Sequence, residues 1–245
     1  MVTASAITRA AAILGNAKRV VVFTGAGMSA DNGIATFRSG PNPMWNGTRL
    51  EELATLDGYR ANFKDAWAWY DARARTARAI EPHAGYAAVR QMAERVEHLI
   101  IVTQNVDGLH RRAGGADVLE LHGSLREVRC LDCKRQFPWP TTEETEPRCT
   151  CGGPLCPKVV LFGEDLPQEP WDLAIAAATR CDVLLSVGTS HQVYPAARIP
   201  ELVSSRFKPV VVVNTREVDN LPFGLFIEGR AERVLPALVE AAWPE

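Results

Sequence analysis

The stretch VVVFTGAGMSADNGIATFR, residues 20–38, decides the fold class of this chain. It opens with an apolar, β-branched run at Val20–Phe23, which is typical of a strand buried on both faces of a parallel sheet. The run ends in Gly25-Ala26-Gly27, and glycines without a Cβ let a loop approach a pyrophosphate closely. A helix that starts after such a loop would turn free N–H groups towards phosphate oxygens. The pattern indicates a dinucleotide-binding α/β domain, although a glycine turn without a ligand has the same sequence signature.

Further apolar runs predict the rest of a sheet around this strand. Helical stretches separate most of them, and an alternation of strands and helices predicts a parallel, Rossmann-like sheet covered by helices on both faces. The predicted strands are Val20–Phe23, Leu99–Val102, Val118–Leu121, Val183–Val187 and Val210–Val213. The predicted helices are Tyr86–Val96, Asp172–Thr179, Ala196–Ser204 and Ala231–Ala242.

Two segments interrupt the alternation and are expected to form a smaller part of a single domain. Residues 39–80 contain no strand candidate and are rich in Trp, Tyr and Arg, so they predict a helical insertion. Residues 126–158 contain five of the six cysteines and predict a compact module. The expected division of the single domain, residues 1–245, is a Rossmann-like part at 1–38, 81–125 and 159–245 and a small part at 39–80 and 126–158.

Composition excludes several function classes. The net charge of −2 comes with scattered Lys and Arg, which argues against a general nucleic-acid binder, since such proteins concentrate basic charge on one surface. No apolar run reaches the roughly 18 to 20 residues that cross a bilayer, and the N-terminus lacks the pattern of a leader peptide. We therefore expect a cytoplasmic monomer without membrane or nucleic-acid partners, in which cysteines serve as thiols or metal ligands.

The segment after the glycine loop argues against a dehydrogenase. A hydride-transfer domain continues with a helix and a second strand that carries an acidic residue about 20 positions on. The corresponding window here, SGPNPMWNGTRLEELATLD at 39–57, has Glu51 and Glu52 but no strand to carry them. The chain is therefore expected to use a dinucleotide in another way.

The cysteine module predicts one structural zinc ion. Cys130 and Cys133 form a C-x-x-C pair, and Cys149 and Cys151 form a C-x-C pair farther along the chain. Two close pairs suit a tetrahedral thiolate site, and four protein ligands leave no position for a catalytic water. Cys156 follows closely and is an alternative fourth ligand.

Polar side chains that follow two predicted strands are candidates for chemistry. TQNVDGLH offers Gln104, Asn105 and Asp107 at the carboxyl end of one strand, where open parallel sheets bind ligands. An ordinary polar loop, with Asp107 in an Asx turn, is the structural alternative. His122 follows another strand and precedes a glycine, and an unperturbed histidine pKa near 6.5 suits a base that works at neutral pH.

Six motifs in a fixed order give the chain a family resemblance. GAGMSADNGIATFRSG, TQNVDGLH, LHGS, VVLFGE, VGTSHQVYPAA and VVVNTRE resemble the sirtuin family of NAD-dependent protein-lysine deacylases over nearly the whole chain. Asn32 and Ala35 depart from the Ser and Pro that are usual in the family, and neither change removes a titratable group.

The resemblance implies roles for individual residues. It implies His122 and Asn105 as catalytic residues and favours Cys151 over Cys156 as zinc ligand. It implies backbone contacts to an extended peptide at Val160, Phe162 and Gly163. The implied NAD contacts are Gly25, Ala26, Gly27, Ser29, Phe37, Arg38, Gln104, Asn105, Asp107, Gly188, Thr189, Ser190, Asn214 and Ala231.

The resemblance also implies the reaction. The acyl-lysine oxygen attacks the ribose carbon as nicotinamide leaves, and His122 then deprotonates a ribose hydroxyl. The products are nicotinamide, O-acyl-ADP-ribose and free lysine, so NAD is consumed as a co-substrate. ADP-ribosyl transfer to protein and a non-catalytic NAD- or ADP-ribose-binding module are the alternatives.

One helix carries a candidate for acyl recognition. Tyr70 and Arg73 are three residues apart, which places a phenol and a guanidinium on one helix face. Together they can hold a carboxylate by charge-assisted hydrogen bonds. A solvated arginine edge is the alternative, and it is favoured for Arg75 and Arg78. The pair resembles the Tyr-x-x-Arg motif of sirtuins that remove succinyl and malonyl groups, so we expect both desuccinylation and deacetylation.

Overall fold

The computed structural model describes residues 2–34, 50–115, 117–140, 144–218 and 224–244. Its main feature is a parallel sheet of six strands. These are β1 Arg19–Thr24, β2 His98–Thr103, β3 Val118–Glu120, β7 Val183–Val187, β8 Val210–Asn214 and β9 Gly224–Glu228. They lie in the order β3-β2-β1-β7-β8-β9. The predicted Rossmann-like fold class is confirmed.

The connectivity of this sheet creates a crevice at its carboxyl edge. From β1 the chain moves outwards through β2 to β3, and it then crosses back to β7 on the other side of β1. The strand order therefore reverses between β1 and β7, and ligands of open α/β sheets bind outside such a reversal point. Both strands are buried almost throughout, which fixes the loops that follow them on a rigid base.

Helices cover both faces of the sheet, as predicted. They are α1 Val2–Gly15, α2 Leu50–Leu53, α3 Leu56–Ala61, α4 Phe63–Ala79, α5 Ala84–Ala93, α6 Leu109–Arg112, α7 Gln168–Arg180, α8 Arg198–Ser205 and α9 Ala231–Ala242. One apolar layer joins α1, α5 and α9 to the sheet, and the opposite layer joins α7 and α8 to it. Within the described part of the chain, no helix combines the length and apolar character that crossing a bilayer requires.

A second, antiparallel sheet forms the smaller part. It consists of β4 at Gly123–Cys130, β5 at Gln136–Pro138 and β6 at Leu155–Val159, in the order β5-β4-β6. The helices α3 and α4 pack against it through a separate apolar cluster that includes Trp67 and Trp139, whose rings stack with centroids 5.1 Å apart. The cysteine module and the helical segment thus share one core.

The predicted elements differ from the structure in several places. β9 was not predicted, because its short apolar run lies between turn residues and resembles a loop. The strands of the small sheet were not predicted either, since Pro138 and Pro157 argue against strands. Helix α5 begins two residues before Tyr86 because the side chain of His83 caps it, accepting the N–H of Gly85 at 3.0 Å.

Candidate functional site

The loops after β1 and β7 meet directly at the reversal point. The N–H of Gly27 donates to the carbonyl of Gly188 at 2.7 Å, and the N–H of Gly25 donates to the carbonyl of Val187 at 3.1 Å. A Cβ on Gly27 would lie 2.6 Å from Cα of Gly188, and one on Gly25 would lie 2.8 Å from Cβ of Thr189. The glycines therefore make room for the neighbouring loop, a packing reason that the sequence does not reveal.

The first loop continues as two short 3-10 turns, Ala26–Met28 and Ala30–Asn32, where a helix start was expected. These turns place Ser29 at the centre of a polar cluster. Its hydroxyl lies 2.6 Å from Oδ2 of Asp107, 2.9 Å from Nδ2 of Asn105 and 2.9 Å from the phenol oxygen of Tyr86. Because the carboxylate can only accept, Ser29 donates to Asp107 and accepts from Asn105 and Tyr86. Its hydrogen-bonding capacity is thereby filled.

The amide of Asn105 and the carboxylate of Asp107 are held firmly at this edge. Nδ2 of Asn105 donates to the carbonyl of Gly25 at 3.0 Å as well as to Ser29. Asp107 accepts the N–H of Leu109 at 2.9 Å through its other oxygen. Burial raises the pKa of Asp107, and the hydrogen bonds from Ser29 and Leu109 oppose that rise. The structure thus brings an oriented amide and a carboxylate together beside the first loop.

The loop after β7 joins the same edge through Thr189. Gln104 donates from Nε2 to Oγ1 of Thr189 at 3.0 Å, and Asn214 donates from Nδ2 to the carbonyl of Thr189 at 3.0 Å. Thr189 is buried, whereas Ser190 is exposed. Four strand ends, those of β1, β2, β7 and β8, therefore contribute to one continuous polar edge. Ala231, at the start of α9, is buried and packs in the core instead of lining this edge with its side chain.

His122 lies between the polar edge and the segment expected to bind peptide. Its Nδ1 is 3.0 Å from the carbonyl oxygen of Gln104, and its own carbonyl accepts the N–H of Val160 at 2.9 Å. Because a carbonyl can only accept, Nδ1 carries the proton, and in the neutral ring Nε2 is left with a lone pair. Burial lowers the pKa of His122, and the hydrogen bond to Gln104 opposes that effect. The neutral, proton-accepting form is therefore favoured at neutral pH.

A buried layer behind the site was not predicted. The phenol of Tyr86 contacts Ser29, and its ring lies 4.8 Å from the ring of His110 and 4.8 Å from that of His83. His110 contacts the hydroxyl of Thr24 at 3.0 Å, and burial lowers the pKa of His110 to about 3. Tyr86 lies on an amphipathic helix, where its spacing looks like that of any core residue, so the sequence offered no signal for this contact.

The candidate peptide segment is partly paired already. The N–H of Phe162 donates to the carbonyl of Ala54 at 2.8 Å, and the N–H of Val160 donates to His122. Phe162 and Gly163 are exposed. The expected pairing of a peptide would therefore have to use other backbone groups of this segment, such as those of Gly163.

Tyr70 lies in the core shared by α4 and the small sheet, and Arg73, one turn farther along α4, is partly buried. Tyr70 is 7% exposed and belongs to the same cluster as Val159 and Leu161, which flank Val160. Burial raises the pKa of Tyr70 well above its usual value, so the phenol stays a neutral donor.

Arg73 is stacked on a neighbouring ring. Its guanidinium lies 3.3 Å from the ring centre of Trp69 and donates to the Trp69 carbonyl at 2.9 Å. Burial lowers the pKa of Arg73 to about 10, which still leaves it cationic at neutral pH. A cation with reduced hydration binds a carboxylate more strongly than one in free solution does.

Four cysteines form a cluster with the size of a zinc site. The sulfurs of Cys130, Cys133, Cys149 and Cys151 all lie within 4.8 Å of one another and form no disulfide. The Cys130–Cys151 and Cys133–Cys149 sulfurs are 3.5 and 3.7 Å apart. Tetrahedral zinc with Zn–S bonds of about 2.3 Å spaces its sulfurs by about 3.8 Å. The donor set therefore fits one Zn²⁺ with no water position.

Cys156 lies apart from this cluster, fully buried in the apolar core of the small part. Burial raises the pKa of its thiol to about 12, so it is a neutral thiol at neutral pH.

Some predicted site positions lie outside the described residues. These are the NAD contacts Phe37 and Arg38 and Ala35, which stands where the family usually has Pro. The other departure, Asn32, donates from Nδ2 to the carbonyl of Glu81 at 2.6 Å.

Comparison with known proteins gives matches over almost the full length. The sequence profile of the Sir2 family matches residues 25–195. A protein of Corynebacterium glutamicum, named NAD-dependent protein deacylase, is 39% identical over 246 residues, with 95% of each chain covered. A protein of Pyrobaculum aerophilum, named NAD-dependent protein deacylase 2, is 43% identical over 231 residues, with 93% of this chain and 92% of that protein covered. Among solved structures, a mutant Sir2 homologue in complex with ADP-ribose has a TM-score of 0.91 at 35% identity, with 96% and 95% of the two chains covered.

Proposed function

The chain belongs to the Sir2 family, and from that membership we propose that it is an NAD-dependent protein-lysine deacylase acting on acidic as well as acetyl groups. The deacylase activity follows from relatives of that name that match end to end. The acyl range rests on this chain's own residues. The partners are accordingly proteins with acylated lysine side chains.

The observation that carries the proposal is the position of His122 between two surfaces. Its ring is tied to Gln104 at the polar edge, and its backbone is tied to Val160 in the candidate peptide segment. A base held there can act on a group at the boundary between a bound dinucleotide and a bound peptide. Such a juxtaposition has no use in a module that only binds ADP-ribose.

The polar edge fits the chemistry of NAD. A nicotinamide carboxamide needs acceptors for its two N–H groups, which Oδ1 of Asn105 and the carboxylate of Asp107 can supply. Ribose and phosphate oxygens need hydroxyl and amide partners, which Ser190 and Asn214 offer at the other loop. When bound, NAD supplies the glycosidic bond that is broken and the ribose that receives the acyl group.

This chain's own residues orient the groups and move one proton. Nδ1–H of His122 stays on the Gln104 carbonyl, which fixes the ring plane, and Nε2 is then the atom that accepts a proton from a ribose hydroxyl. Burial keeps the ring neutral and ready to accept. The hydroxyl of Ser29 fixes Asn105 and Asp107 relative to each other, so the pocket is organised before any ligand enters.

Tyr70 and Arg73 are the residues that favour recognition of acidic acyl groups. Both lie on α4, and Tyr70 shares a core cluster with Val159 and Leu161 of the peptide segment. Tyr70 offers a neutral hydroxyl donor, and Arg73 offers a weakly hydrated cation. A succinyl or malonyl carboxylate can accept from both, whereas an acetyl group carries no charge for the cation to pair with. The chain should therefore remove acidic acyl groups at a rate that competes with deacetylation.

The test is a mass-spectrometric assay with succinyl-, malonyl- and acetyl-lysine peptides, with and without NAD. We expect NAD-dependent loss of each acyl group, and none with His122→Ala protein whose circular dichroism matches the parent. Turnover by that folded variant would remove His122 from its role. Label transferred from NAD to a protein without acyl-lysine would favour ADP-ribosyl transfer instead.

We propose further that the protein works as a monomer in the cytoplasm and does not bind nucleic acid. The four free thiols that fit zinc suit a reducing compartment, and the basic residues are scattered along the chain. Gel filtration at micromolar concentration measures the oligomeric state directly.

A further inference from the structure

A buried histidine side chain, in the interior next to the sheet, anchors the loop after β7. His191 is 4% exposed, and its Nε2 lies 2.6 Å from the hydroxyl of Ser186, which is fully buried. Its ring lies beside that of Phe23, with centroids 6.4 Å apart. The side chain therefore points away from the polar edge and into the interior of the sheet. Nothing in the reaction described above uses it.

The His191–Ser186 pair is polar in an otherwise apolar layer. Phe23 and Val212 are the cross-strand neighbours of Ser186, and both belong to the cluster covered by α7 and α8. Polar groups in such a layer are costly unless they are paired. Among the described residues, Nδ1 of His191 has no hydrogen-bond partner, so the contact with Ser186 is the polar anchor of the ring. A hydrogen bond of this kind is directional and therefore specifies one position of the loop, whereas apolar contacts allow several positions of similar energy.

The backbone of the loop needs such an anchor. Gly188 and His191 both adopt left-handed conformations, with φ of 60° and 54°. Glycine accepts this conformation freely, whereas a residue with a Cβ is strained in it and keeps it only when its surroundings impose it. Hydrogen bonds from Gly27 and Asn214 hold the first part of the loop, and the buried side chain of His191 holds its end.

The anchored loop carries the groups proposed to meet the cofactor. The N–H of His191 donates to Oγ1 of Thr189 at 3.4 Å, and the same oxygen accepts from Gln104. The carbonyl of Thr189 accepts from Asn214. Ser190 is exposed between two buried residues, so its position follows from theirs.

We propose that His191 is a positioning residue for NAD: its side chain, held by Ser186, fixes Thr189 and Ser190 where the adenosine and phosphate half of the cofactor binds. The proposal rests on the proposed function, since it assumes that NAD occupies this edge. His191 itself touches no ligand and no reacting atom.

The first test measures ADP-ribose binding to the full chain by calorimetry, independently of turnover. His191→Ala should weaken binding about tenfold, which corresponds to about 1.4 kcal/mol. Ser186→Ala should weaken it in the same direction. His191→Asn should recover most of the affinity, because Asn tolerates a left-handed backbone and keeps a polar side chain. In steady-state assays KM for NAD should rise by the same factor, while kcat and KM for the acyl peptide stay unchanged.

A matched control separates positioning from stability. Cys181 lies in the same apolar layer, directly after α7 and two residues before β7 begins, and is 1% exposed. Cys181→Ala should lower the melting temperature without changing ADP-ribose affinity. Unchanged affinity in His191→Ala, or an equal loss in Cys181→Ala, would overturn the proposal. If His191→Ala does not fold, Ser186→Ala and His191→Asn decide the question. Parent protein that fails to bind ADP-ribose would instead contradict the proposed function.

Discussion

The ring of His122 and the main-chain carbonyl of Gln104 are joined by a hydrogen bond of 3.0 Å, and this contact decides which nitrogen of the ring can act as a base. Gln104 also contacts Thr189 through its side chain. One residue at the end of β2 therefore orients the candidate base with its backbone and the loop of β7 with its amide. The site is a connected arrangement in which base and cofactor loop are set together.

The pH dependence of the reaction should report the neutral ring of His122. Burial holds its pKa below the usual 6.5, and a general base must be unprotonated to work. We expect kcat to have its acid midpoint below pH 6.5, to reach a plateau towards higher pH and to fall roughly tenfold per pH unit well below the midpoint. Initial rates at saturating NAD between pH 5 and pH 8 measure this, with circular dichroism at each pH. A midpoint above 6.5 in folded protein would contradict the assignment.

Acyl preference should depend on Tyr70 and Arg73. Replacing them by Tyr70→Phe and Arg73→Met removes the hydroxyl and the cation while keeping similar volumes. Loss of charge-assisted hydrogen bonds should lower the succinyl-to-acetyl ratio of kcat/KM by about tenfold or more. Arg75→Met is the control, since Arg75 lies on the same helix and pairs with Asp71 at the surface, at 2.7 Å. A ratio unchanged by the double substitution, or lowered equally by the control, would end the assignment.

Substitution of Cys151 and of Cys156 should show which of the two thiols is the fourth zinc ligand. Cys151→Ser should lower the metal content well below one zinc per chain and lower the melting temperature, because structural zinc contributes directly to folding. Cys156→Ser should keep one zinc per chain, since its thiol lies in the core away from the other sulfurs. Metal analysis of both purified variants provides the measurement. Retention of zinc in Cys151→Ser together with its loss in Cys156→Ser would reverse the ligand assignment.

The sequence predicted the large sheet better than the small one, for physical reasons. Strands buried on both faces, such as Val183–Val187, are continuous apolar runs and can be recognised locally. β4 has polar residues on its exposed side and β6 contains Pro157, so their pairing depends on the partner strand and on the cysteine cluster. Motif residues such as His122 were located by resemblance, which cannot show contacts made by residues outside the motifs. Tyr86 lies outside the motifs, and His191 lies within one of them but contacts Ser186 in the core, so neither contact follows from the resemblance.

Packing between the two glycine loops yields the last prediction. A methyl group on Gly27 would lie 2.6 Å from Cα of Gly188, where backbone on both sides leaves little freedom to adjust. Gly27→Ala should therefore destabilise the fold by about 2 kcal/mol and raise KM for NAD, since the two loops must separate. Gly33→Ala is the control: Gly33 has φ of 80°, but a methyl group there would meet none of the described residues within 4 Å. Only backbone strain of about 1 kcal/mol is then expected, without a change in KM. Urea unfolding and NAD kinetics of both variants measure the difference. Equal KM values for the two would mean that the contact between the loops does not shape the cofactor site.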